Sequence, residues 1–577
     1  MFWNKYPYTD FSEINLDWIL QKLRQLEEAG AGDAAGIVTP QMYGAKADGL
    51  QDDTAAIQQA LNAPEAVVWF PEGTYKLGPV YLASNKIIIA GDALFDVAAA
   101  DNFLFIGNEI HDVTWIGGKF QRLGAGYLGA DHTKLSGIFK FDRCQNLTFS
   151  EMRFKDSYVM SNIRFLSCKN VKISNCITEA YHAYNFAFWD NSDDIEVDNC
   201  IIKSGTYAGY QYLYGVCSGA TEVDLADYRG IRNFKVTNCE IDISDWEGLD
   251  CHGGQGIEFS NNRIRNCYRS IMVYSDNRPA LAAGTVWGNV VLKNNVCIDD
   301  GSFSYEQGAR GATFQAHGNP GRDLVNVLIE NNYLLDPGIS TTGAIVTRNS
   351  RGLRIVNNTI EWTTYTEVSN SRVFYLGKCY NAEVVGNRVI NSIAKNAQFM
   401  LECSSVEIRN NTIISHEDAT APSYFINQAF VSDPGGGSSF ATANFFKSEN
   451  NAHDSTYEAF NVGDRLYASL ELFTDSGDLF EVPVGTGYRP IDNTHYAQLT
   501  GSCDGAVLEW VEPVNGTFGI GSITIPGMAL QVVVGGVTSH VVISDVIDTF
   551  HVLLNKDLGT GAATIDAELF IPVQLNA

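Results

Sequence analysis

Ile257-Glu-Phe-Ser-Asn-Asn-Arg-Ile, residues 257–264, decides the fold, because its pattern returns along much of the chain. Apolar and polar residues alternate and an Asn follows. That describes a short strand running into a turn whose side-chain amide can bond its neighbours along a stack. Val171-Lys-Ile-Ser-Asn-Cys-Ile, Ile195-Glu-Val-Asp-Asn-Cys-Ile and Phe234-Lys-Val-Thr-Asn-Cys-Glu-Ile come before it. Val290-Val-Leu-Lys-Asn-Asn, Val327-Leu-Ile-Glu-Asn-Asn, Leu353-Arg-Ile-Val-Asn-Asn, Ala382-Glu-Val-Val-Gly-Asn and Val406-Glu-Ile-Arg-Asn-Asn come after it. Aligning the turns on Asn175, Asn199, Asn238, Asn261, Asn294, Asn331, Asn357, Asn387 and Asn410 gives a coil near 24 residues. Three long insertions, around 205–229, 275–288 and 301–322, interrupt it. A repeat this short stacks into a solenoid, in which each coil buries the apolar face of the next.

Composition narrows what the solenoid can do. The chain has 577 residues, too many for one compact core of ordinary size. Its 39 basic and 67 acidic residues leave a formal charge of −28, which argues against a nucleic-acid partner, since phosphate binding needs a basic footprint. No apolar run approaches the length that spans a bilayer. The opening Met1-Phe-Trp-Asn-Lys-Tyr-Pro-Tyr lacks the basic start, apolar centre and cleavage site of a signal peptide. The chain has twelve Cys; Cys176, Cys200 and Cys239 each follow an Asn of the repeat, and no C-x-x-C spacing signals zinc. Small buried thiols stacked on successive coils have a packing role, and free thiols fit folding in a reducing cytoplasm.

The ends of the chain differ from its middle. Leu16, Ile19, Leu23 and Leu26 have the spacing of a short coiled coil, or of an amphipathic helix packed on the body, within a separate segment at 1–36. The solenoid is expected over 37–425, a linker over 426–454 around Ser432-Asp-Pro-Gly-Gly-Gly-Ser-Ser, and a β-sandwich over 455–577.

At the head of the solenoid, Met42-Tyr-Gly-Ala-Lys-Ala-Asp-Gly-Leu-Gln-Asp-Asp-Thr-Ala-Ala-Ile reads as a Gly-rich turn and a helix capped by Asp52 or Asp53. Ile57, Ala60 and Leu61 share one face of that helix, and Val67-Val-Trp-Phe-Pro-Glu-Gly-Thr-Tyr adds a buried strand. An apolar helix laid on the open end of a stack hides its first edges. This order of motifs resembles the opening of the pectate-lyase-like right-handed β-helix proteins, phage tailspikes among them. The N-terminal Tyr6-Pro-Tyr-Thr-Asp-Phe is similar to the openings of tail-appendage proteins of small short-tailed phages. The resemblance implies an all-β chain, a right-handed parallel β-helix with a short N-terminal helix and a C-terminal β-sandwich. It also implies a homotrimer that is made in the host cytoplasm, attaches to the phage tail through its N-terminus and acts on a host surface polysaccharide.

One part of the repeat carries chemistry that the other coils lack. Asp245, Trp246, Glu247, Asp250 and His252 crowd three carboxylates, an indole and an imidazole into eight residues. Asp250 and His252 are two apart on a strand and so share a face. Asp245 and Glu247 lie near enough for like charges to push a carboxyl pKa upward. Two carboxyl groups, one of them protonated, are what glycoside hydrolysis needs. Leu249-Asp-Cys-His-Gly is similar to the segment carrying active-site residues in polygalacturonase-type and tailspike β-helices, but the Gly-Asp-Asp of the preceding coil in polygalacturonases is missing. Elimination by a lyase, which needs a base and a cation beside a uronate, and glycan binding without cleavage are the alternatives.

The insertions are expected to leave one flank together and wall a groove around this cluster. Trp246, Trp189, Tyr210, Tyr212 and Tyr274 offer flat apolar faces to sugar rings, and Arg229 and Arg269 could neutralise a uronate. Asp190 and Asp194 are candidates for a second carboxyl; with Asp193 they could also form a calcium site, although no metal or other cofactor is signalled.

Overall fold

The computed structural model describes residues 36–96, 103–121, 137–155, 161–179, 184–203, 213–219, 228–242, 246–276, 287–299, 313–319, 322–337, 343–363, 372–394, 397–402 and 406–416, and strands from Tyr424 to Gln574 as backbone. The heptads at 16–26 lie outside the described residues.

Each coil has three strands. Around the site, one coil runs Ile231–Thr237, Glu240–Asp242 and Glu247–His252, and the next runs Gly254–Ser260, Arg263–Arg265 and Arg269–Tyr274. Every strand pairs in parallel with its counterpart in the adjacent coil: Phe234 opposite Ile257, Ile241 opposite Ile264, Leu249 opposite Ile271. The third strands of successive coils form one sheet of 14 strands, from Val80–Tyr81 to Glu458–Val462. This is the expected right-handed parallel β-helix. Its core is a set of apolar columns, such as Phe141, Phe165 and Phe188, whose rings stack at 5.4 and 5.0 Å between centroids.

The Asn turns follow from backbone geometry. Asn175, Asn199, Asn238, Asn261 and Asn294 all have φ between 51° and 58°, a region that Asn tolerates better than most residues. Their amides chain along the stack, Asn199 Nδ2 donating to Asn175 Oδ1 at 2.7 Å and Asn294 Nδ2 to Asn261 Oδ1 at 3.2 Å. One alignment changes: the turn residue in the coil at 382–387 is Gly386, with φ 68°, and not Asn387. Asn387 belongs to a second, buried ladder of the residues that follow the turns, running Asn262, Asn295, Asn332, Asn358, Asn387 and Asn411. Each of these side chains also donates to a strand carbonyl, as Asn295 does to Phe259 O at 2.9 Å. In the lower coils the same place is filled by Cys176, Cys200 and Cys239, and Asn262 Oδ1 accepts from Cys239 N where the two ladders meet. A buried amide is tolerated there only because every group finds a partner.

The ten described Cys are buried and free. Burial pushes the thiols of Cys200, Cys217 and Cys239 well above the ordinary range, so they are poor nucleophiles while folded. Native protein should therefore alkylate slowly. After denaturation without reductant, all twelve should react; a pair that resists would contradict folding with free thiols.

The helix Thr54–Asn62 buries Ala56, Ile57, Ala60 and Leu61 in the same continuous core as the coils. The two acids before it divide the work. Asp52 accepts from Thr54 N, while Asp53 accepts from Lys46 N and Ala47 N and ties down the preceding turn.

The C-terminal boundaries move. Tyr424–Gln428, Phe446–Glu449 and Glu458–Val462 continue the parallel ladders, so the β-helix reaches Val462 and does not stop at 425. Beyond it the strands turn antiparallel. Ala529–Val534, Val537–Val546, His551–Leu554, Val507–Trp510, Gln498–Asp504 and Gly561–Asp566 pair in a closed cycle, the hydrogen bonding of a small barrel where two facing sheets were expected.

Candidate functional site

Leu249 and Cys251 of the strand Glu247–His252 face the interior. Both are fully buried, and a Cβ on Gly248 would meet Ile264, Ser270 and the Cys267 sulfur. Asp250 and His252 therefore face outward, as the period of a strand requires. Glu247 sits at the start of the strand and reaches the same outer face. One ligand-capable atom from each of Glu247, Asp250 and His252 lies within 4.8 Å of the others.

The two carboxyl groups are almost out of water, Glu247 2% and Asp250 3% exposed. Arg269, register partner of Glu247 on the next strand, donates from Nη1 to Glu247 Oε1 at 2.5 Å. Trp246 and Tyr268 stack at 4.8 Å, and the Arg269 guanidinium lies over both rings. Among the described residues no hydrogen bond reaches Glu247 Oε2 or Asp250 Oδ1. His252 Nε2 approaches Asp250 Oδ1 at 3.1 Å, an ion-pair contact not aligned as a hydrogen bond.

These contacts set the proton positions. Burial, and then the charge of Asp250, push Glu247 up to about 7 against the pull of Arg269. The Asp250 carboxylate lifts His252 to about 9, so this imidazole is a cation at neutral pH. Two columns along, His317 is lowered to about 3 by burial and by Arg348 and Arg269, and is neutral. Tyr214 is pushed far up by burial and by the two carboxylates. An ion could take one atom each from Glu247, Asp250 and His252. Without an ion, Arg269 and the imidazolium balance the two acids, and the same atoms can serve proton transfer.

The other expected site residues separate into three groups. Trp189 and Tyr274 share the outer face with His252. Trp189 lies opposite Gly219, whose hydrogen leaves room for the indole, and Tyr274 is the register partner of His252, 5.7 Å away between rings. Asp190, Asp194 and Arg229 lie elsewhere. Asp190 is a buried turn residue with φ 59°, its N–H bonded to Gly219 O. Asp194 is a left-handed residue of a polar ladder, accepting from Asn233 at 2.8 Å. Arg229 holds Asp193 in two bonds of 2.7 and 2.6 Å, so these acids face separate partners and do not converge on one ion. Asp245, Tyr210 and Tyr212 lie outside the described residues.

The insertions also fall differently. Residues 204–212 and 300–312 lead into strands of the 14-stranded sheet, whereas 220–227 and 277–286 leave from the other end of such strands. They attach at both edges of the site's outer face and not along one flank. Sequence reasoning also missed Tyr184, stacked on Tyr214 at 5.2 Å, and Arg164, held over the Trp189 ring. Only the strand register reveals that they share this face.

Residues 39–282 match a family model described as rhamnogalacturonase A/epimerase, pectate lyase-like. A plasmin and fibronectin-binding protein A of Streptococcus pneumoniae is 29% identical over 164 residues, 23% of this chain and 22% of that protein. The chain thus spans about a fifth of the length of that curated relative. Among solved structures, the N-terminal fragment of bacteriophage Phi29 gene product 12 aligns with a TM-score of 0.47 and 15% identity, over 77% of this chain and 73% of that one. The catalytic unit of a GH87 α-1,3-glucanase from Streptomyces thermodiastaticus aligns with a TM-score of 0.37 and 14% identity, over 75% and 70%. No helix among the described residues is long and apolar enough to cross a membrane. The strand pairings themselves make this chain a right-handed parallel β-helix, and residues 39–282 of it are similar to the pectate-lyase-like family.

Proposed function

We propose that the protein is a phage tail appendage, attached to the virion through its N-terminus, that binds and depolymerises a host surface polysaccharide by glycosidic hydrolysis. The observation that carries the chemistry is the pair Glu247 and Asp250: two buried carboxyl groups on one strand, one held near 7 and the other beside a cationic imidazole. Glu247, protonated over part of its population at neutral pH, is the general acid that protonates the leaving oxygen. Asp250 is the carboxylate that serves the anomeric carbon, directly or through water. Arg269 and His252 are positioning residues in this reading, and Trp246, Tyr268, Trp189 and Tyr274 provide faces for sugar rings.

A lyase is the second reading, favoured by the cations Arg269 and His252, which could steady the carbanion formed beside a uronate. Reaction in water enriched in oxygen-18 separates the two. Hydrolysis places one labelled oxygen at the anomeric carbon of each new reducing end, whereas elimination transfers none and creates a double bond that absorbs in the ultraviolet. A polymer bound but never shortened would identify a non-catalytic adhesin.

The same reading has the appendage as a homotrimer, whose flat lateral faces and C-terminal strands provide symmetric contacts. Light scattering should then give three times the 63.3 kDa of one chain; a mass of one chain would contradict it.

A further inference from the structure

The strand Ser161–Leu166 lies three strands from Glu247–His252 in the 14-stranded sheet, with Tyr184–Trp189 and Tyr214–Gly219 between them. Register places Arg164, Ala187, Cys217 and Asp250 in one row on the outer face. Three steps of about 4.8 Å put Arg164 roughly 14 Å from Asp250. The two positions between them carry only a methyl and a thiol. Both are buried, Ala187 0% and Cys217 2% exposed, and the half-buried rings of Tyr184, Tyr214 and Trp189 lie around them, Tyr184 stacked on Tyr214 and edge-on to Trp189 at 5.5 Å.

Arg164 is 6% exposed, yet no ion pair or hydrogen bond joins its guanidinium to any described residue, and its Nε is buried without a partner. Its guanidinium carbon lies 5.6 Å from the centre of the Trp189 ring, with Tyr184 and Asp190 near enough to act on it through space. A buried unpaired guanidinium is costly, and in a chain with 67 acidic residues a partner would be easy to supply. The planar fork of donors matches a carboxylate or a phosphate.

We propose that Arg164 anchors an anion subsite beside these rings, taking the carboxylate or phosphate of an acidic sugar while neighbouring rings of the same polymer run over Trp189 and the Tyr184–Tyr214 stack towards Asp250. The inference rests on the depolymerase reading and narrows it: the polysaccharide carries an acidic group within a short oligosaccharide's reach of the bond that is cut. A phosphodiester-linked wall glycan and a uronic-acid polysaccharide share this chemistry.

The test uses the full-length chain carrying Asp250→Asn, with and without Arg164→Met, which keeps the stem packed on Trp189 and removes the charge. Each is titrated with a uronic-acid polysaccharide, a phosphodiester-linked wall glycan and a neutral glucan. Arg164→Met should weaken binding of one anionic polymer about tenfold, the loss of one charge-assisted contact, and leave the neutral glucan unchanged. The polymer that responds identifies the source of the anion. Arg164→Lys should recover part of the loss. The melting temperature of Arg164→Met should match or exceed that of the parent, since an unpaired buried charge is gone. Unchanged anionic binding, equal loss for all three polymers, or a markedly lower melting temperature would each overturn the proposal. If a neutral glucan alone is bound, and the chain with Asp250 intact cuts it, the depolymerase reading stands and the anion subsite falls. If no polymer binds, that reading fails and a direct measurement decides Arg164. The gain in melting temperature in sodium sulfate over sodium chloride at equal ionic strength should shrink with Arg164→Met if the subsite exists, and stay the same if it does not.

Discussion

Asp250→Asn should lower turnover of the polysaccharide by about 10³-fold or more, while the melting temperature stays within a few degrees of wild type. General acid–base and nucleophilic roles are each worth about 10²–10⁴-fold, and an amide can neither accept a proton from water nor attack an anomeric carbon. Shape is nearly conserved. The substitution removes a charge that repels Glu247 and attracts His252, so its effects on the fold partly offset. Binding should survive, because Trp246, Tyr268, Trp189 and Tyr274 are untouched. His252→Ala should retain partial activity if the imidazole only positions Asp250. Full turnover by Asp250→Asn would move the chemistry away from this strand. Unfolding would make the aspartate a structural residue.

Glu247→Gln should cost about 10²–10⁴-fold in turnover, because the amide keeps the shape but cannot give up a proton. It should also change the pH profile. With Glu247 held near 7, wild-type activity should fall as pH rises through about 7 and the acid loses its proton. The residual rate of Glu247→Gln should lack that limb. Stability changes in the same direction. A group whose folded pKa is raised contributes stability that is full below its unfolded value and lost as pH rises through the folded one. For Glu247 that window runs from 4.5 to about 7, and for His252 from 6.5 to about 9. Melting temperatures should therefore decline from mildly acid to alkaline pH, and Glu247→Gln should remove the lower of the two steps. An unchanged alkaline limb in Glu247→Gln would assign the essential acid to another residue.

Much of the fold is legible in the chain because a solenoid repeats its own constraints. Alternation at Ile257–Ser260 and an Asn at 261 recur in coil after coil, so each repeat supports the reading of the others. The misreading at 382–387 has a physical cause: Gly and Asn both tolerate positive φ, so Gly386 replaces the turn Asn and leaves the inner Asn387 to be mistaken for it. The same ambiguity hides Asp194, an acid by composition but a left-handed ladder residue by conformation.

That Glu247, Asp250 and His252 come together in the candidate site is legible because they are local in sequence. The site's surroundings are not. Arg164 and Tyr184 reach the same face only through the lateral register of strands separated by whole coils, and nothing in their immediate sequence distinguishes them from neighbours in other strands. Arg229 shows the converse. It is near the cluster in sequence but is held by Asp193 on another column.

The most direct measurement is the chain length of a purified host surface polysaccharide, followed by light scattering as the protein acts on it, with absorbance in the ultraviolet recorded alongside. The account predicts that wild-type protein shortens the polymer without a rise in absorbance, and that Asp250→Asn binds it and leaves its length unchanged. A polymer that is bound by wild-type protein and keeps its full length would contradict catalysis at Glu247 and Asp250.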